Sequence, residues 1–116
     1  MKPNIVQEKS YGFALKMICL ARELRERKEY DLARQLLRAG TSVGANIEEA
    51  QAGVSRADFA TKMSIASKEA REVHYWLRLL RDSKSILSAQ ADPLIDEAEE
   101  LIRLLTAIVK TAQSGK

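Results

Sequence analysis

The chain of 116 residues contains one cysteine, one histidine and two prolines, and each scarcity excludes a class of protein. A lone cysteine, Cys19, cannot form an intramolecular disulfide, and its place in an apolar helical pattern predicts a buried, reduced thiol. A lone histidine, His74, cannot supply a di-iron site, which needs a Glu-x-x-His pair from each of two helices. We therefore expect no metal, no cofactor and a largely uninterrupted helical chain.

The chain also lacks a large excess of charge of either sign, since 19 basic and 16 acidic side chains leave a net charge of only +3. Such a chain is compatible with nucleic acid but carries no polycationic arm that would indicate it. The apolar segment 13–21 is interrupted by Lys16 and followed by charges, which argues against a signal peptide or a membrane span. We expect one cytoplasmic domain spanning residues 1–116, with no membrane partner.

Helical periodicity is what the sequence has in abundance, because apolar residues recur at spacings of three and four through four segments. The first predicted helix begins near Ser10, with residues 5 and 6 ahead of it as a docked arm, and ends at the charged run 25–29. The second is predicted to open with Asp31 as its N-cap and to close at Gly53. Each is long enough to present one apolar stripe to a core.

The third predicted helix has the clearest beginning, since Ser55 and Asp58 match a capping box. Its apolar residues then alternate at four and three, as in the seam of a helical bundle. The seam consists of Phe59, Met63, Ala66, Ala70, Val73, Leu77 and Leu80. The fourth helix is predicted to begin with Asp92 as its cap and Pro93 at its first position. Because short connections favour antiparallel neighbours, the predicted fold is all-α, an antiparallel up-down-up-down four-helix bundle.

Two glycines four residues apart, Gly40 and Gly44, stand inside the second predicted helix, where each costs about 1 kcal/mol relative to alanine. Close packing against a neighbouring helix accounts for that cost. A backbone site for a ligand phosphate is the alternative, but a phosphate cradle needs a loop that follows a strand. We therefore expect tight helix packing at both positions.

Polar residues on the second and third predicted helices should lie near a core or a subunit interface. The set consists of Arg38, Ser42, Asn46, Glu49, Glu69 and Glu72. Partly buried carboxylates need partners, so a network between helices or subunits is favoured over a ligand site, a metal site or solvated charge. Wide apolar stripes on the second and fourth helices also predict a homo-oligomer, because surplus apolar surface usually closes a symmetric assembly.

Basic residues on the first and third predicted helices are candidates for nucleic-acid binding. They are Arg22, Arg25, Lys68, Arg71, Arg78 and Arg81, with Tyr75 as a stacking surface. A basic stripe with an aromatic ring can follow a phosphate backbone. Interleaved acidic residues favour instead a solvated face or pairing between subunits. Because no nucleophile motif accompanies these residues, we expect a protein that is not an enzyme.

The segment RAGTSVGANIEEAQAG, followed by SRADFATKMSIASKEAREVHYWLRLLRDS, carries a family resemblance. It resembles the four-helix-bundle family encoded in intervening sequences of bacterial 23S ribosomal RNA genes, also called S23 ribosomal proteins. Arg38, Ser42, Asn46, Ile47, Glu49 and the small residue Gly44 match the family pattern, whereas Ala50-Gln51 departs from it, because many members have glycine there.

That family is similar in fold to the accessory protein of diversity-generating retroelements, a basic pentameric bundle that binds nucleic acid and a reverse transcriptase. The resemblance therefore implies a pentameric ring that binds RNA or DNA through basic outer faces. A protein-protein interaction scaffold without a nucleic-acid role is the alternative function.

Overall fold

The computed structural model describes residues 4–114, and every regular element in that range is an α-helix. The four helices are α1 (Ile5–Glu26), α2 (Tyr30–Gln51), α3 (Arg56–Asp82) and α4 (Ser88–Gln113). They pack side by side into an elongated body of 47 × 25 × 19 Å. The prediction of an all-α, four-helix bundle is confirmed.

Each helix packs against the next one in the chain, and α4 closes the bundle more loosely against α1. Ser10 lies beside Gly44 and Met17 beside Gly40, so α1 and α2 run in opposite directions. Polar contacts taken in twos show the same reversal at the other three interfaces: Arg38–Glu69 with Lys62–Glu49, Arg71–Thr106 with Arg81–Asp92, and Lys9–Glu100 with Lys16–Glu97. Because α1 makes no contact with α3, these two helices lie diagonally opposite each other.

The core lies along the bundle axis and takes its side chains from all four helices. Six of the seven predicted seam residues of α3, from Met63 to Leu80, are buried. Phe59 is only partly buried, and its neighbour Ala60 is buried instead. Phe59 is less buried than the rest of the seam because it lies in the first turn of α3, at the end of the bundle.

The boundary of α3 follows the predicted chemistry, whereas that of α1 does not. The amide of Asp58 donates to the hydroxyl of Ser55 at 3.0 Å, so the predicted N-cap of α3 is confirmed. In α1, however, the helix begins at Ile5 rather than near Ser10. Asn4 is its cap and accepts a hydrogen bond from the amide of Gln7 at 3.0 Å. Residues 5 and 6 are therefore helical, and no docked arm precedes Ser10 within the described residues.

The predicted caps of α2 and α4 are wrong. Asp31 lies within the first turn of α2, which Glu29 precedes without a side-chain capping bond. The last helix begins at Ser88, so Pro93 is inside it. Its early turn forms because buried Ala91 anchors it to the core. Proline is tolerated here because the hydrogen bond it removes would end on the carbonyl of Ala89, in an exposed first turn.

Cys19 is exposed, and the prediction of a buried thiol is wrong. The buried stripe of α1 passes through Met17, Leu20 and Leu24. Cys19 is two residues from Met17, and a helix turns about 100° per residue, so its side chain points away from the core. The sequence pattern did not distinguish these positions because both flanks of the stripe also carry apolar residues.

Candidate nucleic-acid interface

A shallow groove of about 430 Å³ runs between α3 and α4 on the outside of the bundle. Its lining consists of Ser64, Ser67, Lys68, Arg71, Thr106, Val109, Lys110 and Gln113. The lining contains three cationic side chains, four neutral polar side chains and no carboxylate. We call it the α3–α4 groove.

Arg71 fixes the position of positive charge in this groove. Its Nη2 donates to the hydroxyl oxygen of Thr106 at 3.2 Å, which places the guanidinium across the boundary between the two helices. Within residues 4–114, neither Lys68, Arg71 nor Lys110 forms an ion pair with an acidic side chain. Three cations therefore face the groove without a carboxylate in its lining, which suits it to an anionic ligand.

The predicted basic stripe of α3 continues beyond the groove. Tyr75 and Arg78 follow Arg71 along the outer face, and about half of the Tyr75 side chain is exposed. The guanidinium carbon of Arg78 lies 5.9 Å from the centre of the Tyr75 ring, at cation–π distance. The Trp76 indole packs near the same ring in an edge-type arrangement, with centroids 5.4 Å apart. These contacts hold an aromatic surface beside the basic groove.

Two cationic residues of α4 were not predicted from the sequence as nucleic-acid-binding candidates. Lys110 lines the groove directly, and Arg103 lies seven residues earlier, hence two turns away on the same side of α4. Their seven-residue spacing was a usable signal. It could not be connected to Lys68 and Arg71, however, because the register between α3 and α4 follows from packing and not from either helix alone.

Three of the predicted nucleic-acid residues lie elsewhere. Arg22 and Arg25 belong to α1, diagonally across the bundle from α3. Arg81 is on α3, but it pairs with Asp82 at 2.9 Å and Asp92 at 3.1 Å. Hydrogen bonds to Asp82 and then to Asp92 raise the pKa of Arg81. With its charge already matched, Arg81 does not belong to the free cationic surface.

A family model described as 23S rRNA-intervening sequence protein matches residues 2–107. The chain belongs to this family. It is also similar to a protein of unknown function from the S23 ribosomal protein family of Bacteroides thetaiotaomicron VPI-5482, solved by crystallography at 1.70 Å resolution. The two are 43% identical, with a TM-score of 0.88 over 90% of this chain and 98% of the other. No curated protein matches.

The family resemblance predicted from the sequence is thus confirmed. Two of the residues that carry it, Arg38 and Glu49, bind side chains of α3. Arg38 donates from Nη1 to Oε1 of Glu69 at 3.2 Å and from Nη2 to Oε2 of Glu72. The same Glu72 oxygen accepts the indole N–H of Trp76 at 3.0 Å. The bond from Trp76, and then that from Arg38, lowers the pKa of Glu72, whereas the bond to Glu72 is the main cause that raises the pKa of Arg38.

Of the other predicted members of this polar set, one binds across to α3 and two bond within α2. Glu49 accepts from Nζ of Lys62 at 2.7 Å, which links α2 to α3 and raises the pKa of Lys62. Ser42 and Asn46 bond instead to carbonyls of their own helix, those of Arg38 and of Ser42. The network between helices therefore consists of two separate clusters, and the two short polar side chains only reinforce α2.

The two glycines of α2 differ in how closely α1 approaches them. A Cβ atom built on Gly40 would lie 2.4 Å from Cγ and 2.8 Å from Cβ of Met17, so that position has no room for a side chain. A Cβ on Gly44 would lie 3.5 Å from the backbone oxygen of Ser10, an ordinary contact. Tight packing therefore requires glycine at Gly40, whereas Gly44 has room for a methyl group.

Residues 4–114 contain neither a cluster of metal ligands nor a membrane-spanning helix. No group of three or more histidine, cysteine or acidic side chains is placed to hold a metal ion. No helix in that range is long and apolar enough to cross a membrane.

Proposed function

We propose that this protein is a non-enzymatic, homo-oligomeric member of its family that binds the phosphate backbone of nucleic acid in the α3–α4 groove. The observation that carries the proposal is the groove lining, in which Lys68, Arg71 and Lys110 meet without a carboxylate. Cationic side chains that displace condensed counterions supply most of the affinity of such proteins for nucleic acid.

The dimensions of the surface fit a short stretch of one strand. Lys68 and Arg78 are ten residues apart, which corresponds to about 15 Å along α3. At about 3.4 Å per nucleotide of a duplex strand, this length matches four to five nucleotides. Tyr75 lies between the two cations and offers an aromatic face on which an unpaired base can stack. The proposed ligand is therefore structured RNA or DNA with an unpaired segment.

Self-association would strengthen this binding. One groove with three cations gives weak affinity, whereas several grooves in one assembly engage the same nucleic acid at high effective concentration. The subunit number stays a prediction, and the ring of five rests on the resemblance alone. A scaffold for another protein is the competing function.

Binding of a fluorescent hairpin RNA and of a DNA of the same sequence, measured by anisotropy at several salt concentrations, tests the proposal. The variant pair Lys68→Gln and Lys110→Gln removes two groove charges. The pair Arg25→Gln and Arg34→Gln on α1 and α2 is the matched control, because it lowers the net charge equally. We expect the groove variant to reduce the slope of log affinity against log salt by roughly 1.5 and the control to leave it unchanged.

Two results would contradict the proposal. Equal losses in both double variants would mean that net charge, and not the groove, attracts the nucleic acid. Absence of salt-dependent binding to either nucleic acid would favour the protein scaffold.

A further inference from the structure

Three hydroxyl groups line the α3–α4 groove without donating a hydrogen bond inside residues 4–114. Elsewhere in the bundle, the hydroxyls of Ser42 and Thr61 donate to carbonyls of their own helices, at 2.7 and 2.9 Å. Ser64 and Ser67 make no such bond, and Thr106 only accepts one, from the guanidinium on the other side of the groove. The groove therefore presents three O–H donors to whatever enters it.

The cations of the groove converge at the level of these hydroxyls. Lys68 and Arg71 are three residues apart, which is about 4.5 Å along α3. Thr106 lies beside Arg71 and α4 runs antiparallel to α3, so Lys110, one turn beyond Thr106, lies opposite Ser67. Three positive charges and three hydroxyl donors therefore surround one small volume.

This set of groups suits a phosphate monoester better than a phosphodiester. An internal phosphate of a strand carries one negative charge, whereas a phosphate monoester carries a charge of about −1.5 to −2 at neutral pH and three strong acceptor oxygens. Lysine binds such a group as a point charge, and the planar fork of arginine can bind two of its oxygens at once. Serine and threonine hydroxyls supply the remaining donors.

The basic surface of α3 ends at this groove. Toward the beginning of α3, the outer surface continues over Ala60 and its uncharged neighbours. The one cation among residues 57–64 is Lys62, which is paired with a carboxylate of α2 at 2.7 Å. Residues 111–114 of α4 carry no charge either. About 10 Å of α3 therefore offers a phosphate backbone no unpaired cation, whereas the basic stripe continues in the other direction.

We propose that the α3–α4 groove binds the terminal phosphate monoester of a nucleic-acid strand, and that the strand leaves the groove along α3 toward Arg78. The three cations neutralise the phosphate, and the three hydroxyls donate to its oxygens. Tyr75 lies one turn beyond Arg71, about 6 Å along α3, where its exposed ring stacks on the first unpaired base. A 5′-phosphate and a 3′-phosphate present the same chemistry to the groove.

This inference rests on the proposed function, because it takes nucleic acid as the ligand and names the part of the strand that the groove holds. It does not depend on self-association. Binding to the phosphate backbone alone predicts equal affinity for strands with equal numbers of phosphates, whereas recognition of the terminus predicts a preference for a phosphorylated end. The two are therefore distinguished with one set of RNAs.

Fluorescence anisotropy of three single-stranded RNAs, each labelled on an internal base, tests the inference. One has a 5′-phosphate, one has a 3′-phosphate, and the third has hydroxyls at both ends but is one nucleotide longer, so that all three contain the same number of phosphates. At least one phosphorylated RNA should bind about tenfold more tightly than the third, and the preferred end reports the direction of the strand.

Two results would overturn the inference. Equal affinities that still fall with salt would exclude recognition of the terminus and leave the proposed function standing. Absence of salt-dependent binding to all three RNAs would exclude both.

A hydroxyl variant gives a second readout. Ser64→Ala with Ser67→Ala removes two donors and no charge, so most of the preference should disappear while the salt dependence of the hydroxyl-ended RNA stays the same. Thr41→Ala with Ser42→Ala is the matched control, because both hydroxyls already donate to carbonyls of α2. Alanine favours a helix at all four positions, and far-UV circular dichroism checks that the bundle is kept. A groove variant that retains the full preference would contradict the proposed contacts.

Discussion

Trp76 donates its indole N–H to Glu72, one turn earlier on α3, at 3.0 Å, and Arg38 of α2 binds the same carboxylate oxygen. This convergence explains how a tryptophan at the margin of the core can be only partly buried and still have its polar atom satisfied. It also joins α2 to α3 on the outside of the bundle. The first prediction concerns the charge of this carboxylate.

Glu72→Gln should make stability less sensitive to acid. The bonds from Trp76 and Arg38 lower the pKa of Glu72, so its stabilising contribution is complete above the ordinary value of 4.5 and is lost as the pH falls through the lower folded value. Urea unfolding at pH 7 and at pH 3 should therefore show a smaller difference in the glutamine variant. Glu26→Gln, which removes a carboxylate that makes no bond to another described side chain, is the control. An equal difference in all three proteins would refute the linkage.

Gly40→Ala and Gly44→Ala should have opposite effects on the free energy of unfolding. At Gly40 the methyl group collides with Met17, which is fully buried and cannot move freely, so a loss of about 2 kcal/mol is expected. At Gly44 the methyl group fits, and the better helix propensity of alanine should contribute up to about 1 kcal/mol. Thermal denaturation of the two variants provides the comparison. A loss of similar size in both would show that α1 approaches Gly44 as closely as it approaches Gly40.

Lys84→Gly should stabilise the protein by about 1 kcal/mol. Lys84 follows the last turn of α3 with a φ of 65°, a left-handed conformation that is unfavourable for residues with a Cβ atom. The hydrogen bond from Ser85 to the carbonyl of Leu80, at 2.9 Å, shows that the chain needs this conformation to leave the helix. The melting temperature should rise for Lys84→Gly and not for Lys84→Ala. A rise in the alanine variant would instead attribute the gain to the lost charge.

Gly12→Ala should stabilise the fold. The added methyl group meets no atom within 4 Å, so the better helix propensity of alanine should raise the free energy of unfolding by about 1 kcal/mol. Thermal denaturation of the variant beside the parent protein measures the effect. A melting temperature that falls would show that α1 requires glycine at this position.

Local patterns predicted much of the bundle, whereas the early start of α4 depends on tertiary packing. The seam from Met63 to Leu80 and the cap at Ser55 depend on residues of one helix, and both were predicted correctly. Asp31 misses the N-cap by one residue, because α2 begins at Tyr30. Asp92 also has the chemistry of a cap, yet the turn that contains buried Ala91 docks against the core and extends α4 past it. Cap chemistry is worth about 1 kcal/mol, which the burial of one additional apolar turn exceeds.

The sequence by itself determined four amphipathic helices, their approximate order of packing and the family, because helical periodicity and capping act within a few residues. Only the tertiary structure decided which helices face each other and in what register. That register places Lys110 of α4 beside Lys68 and Arg71 of α3, moves Arg22 and Arg25 to the opposite side, and leaves Gly12 facing outward. The reason is physical, since the rotation of each helix is set by all the side chains it buries against its neighbours.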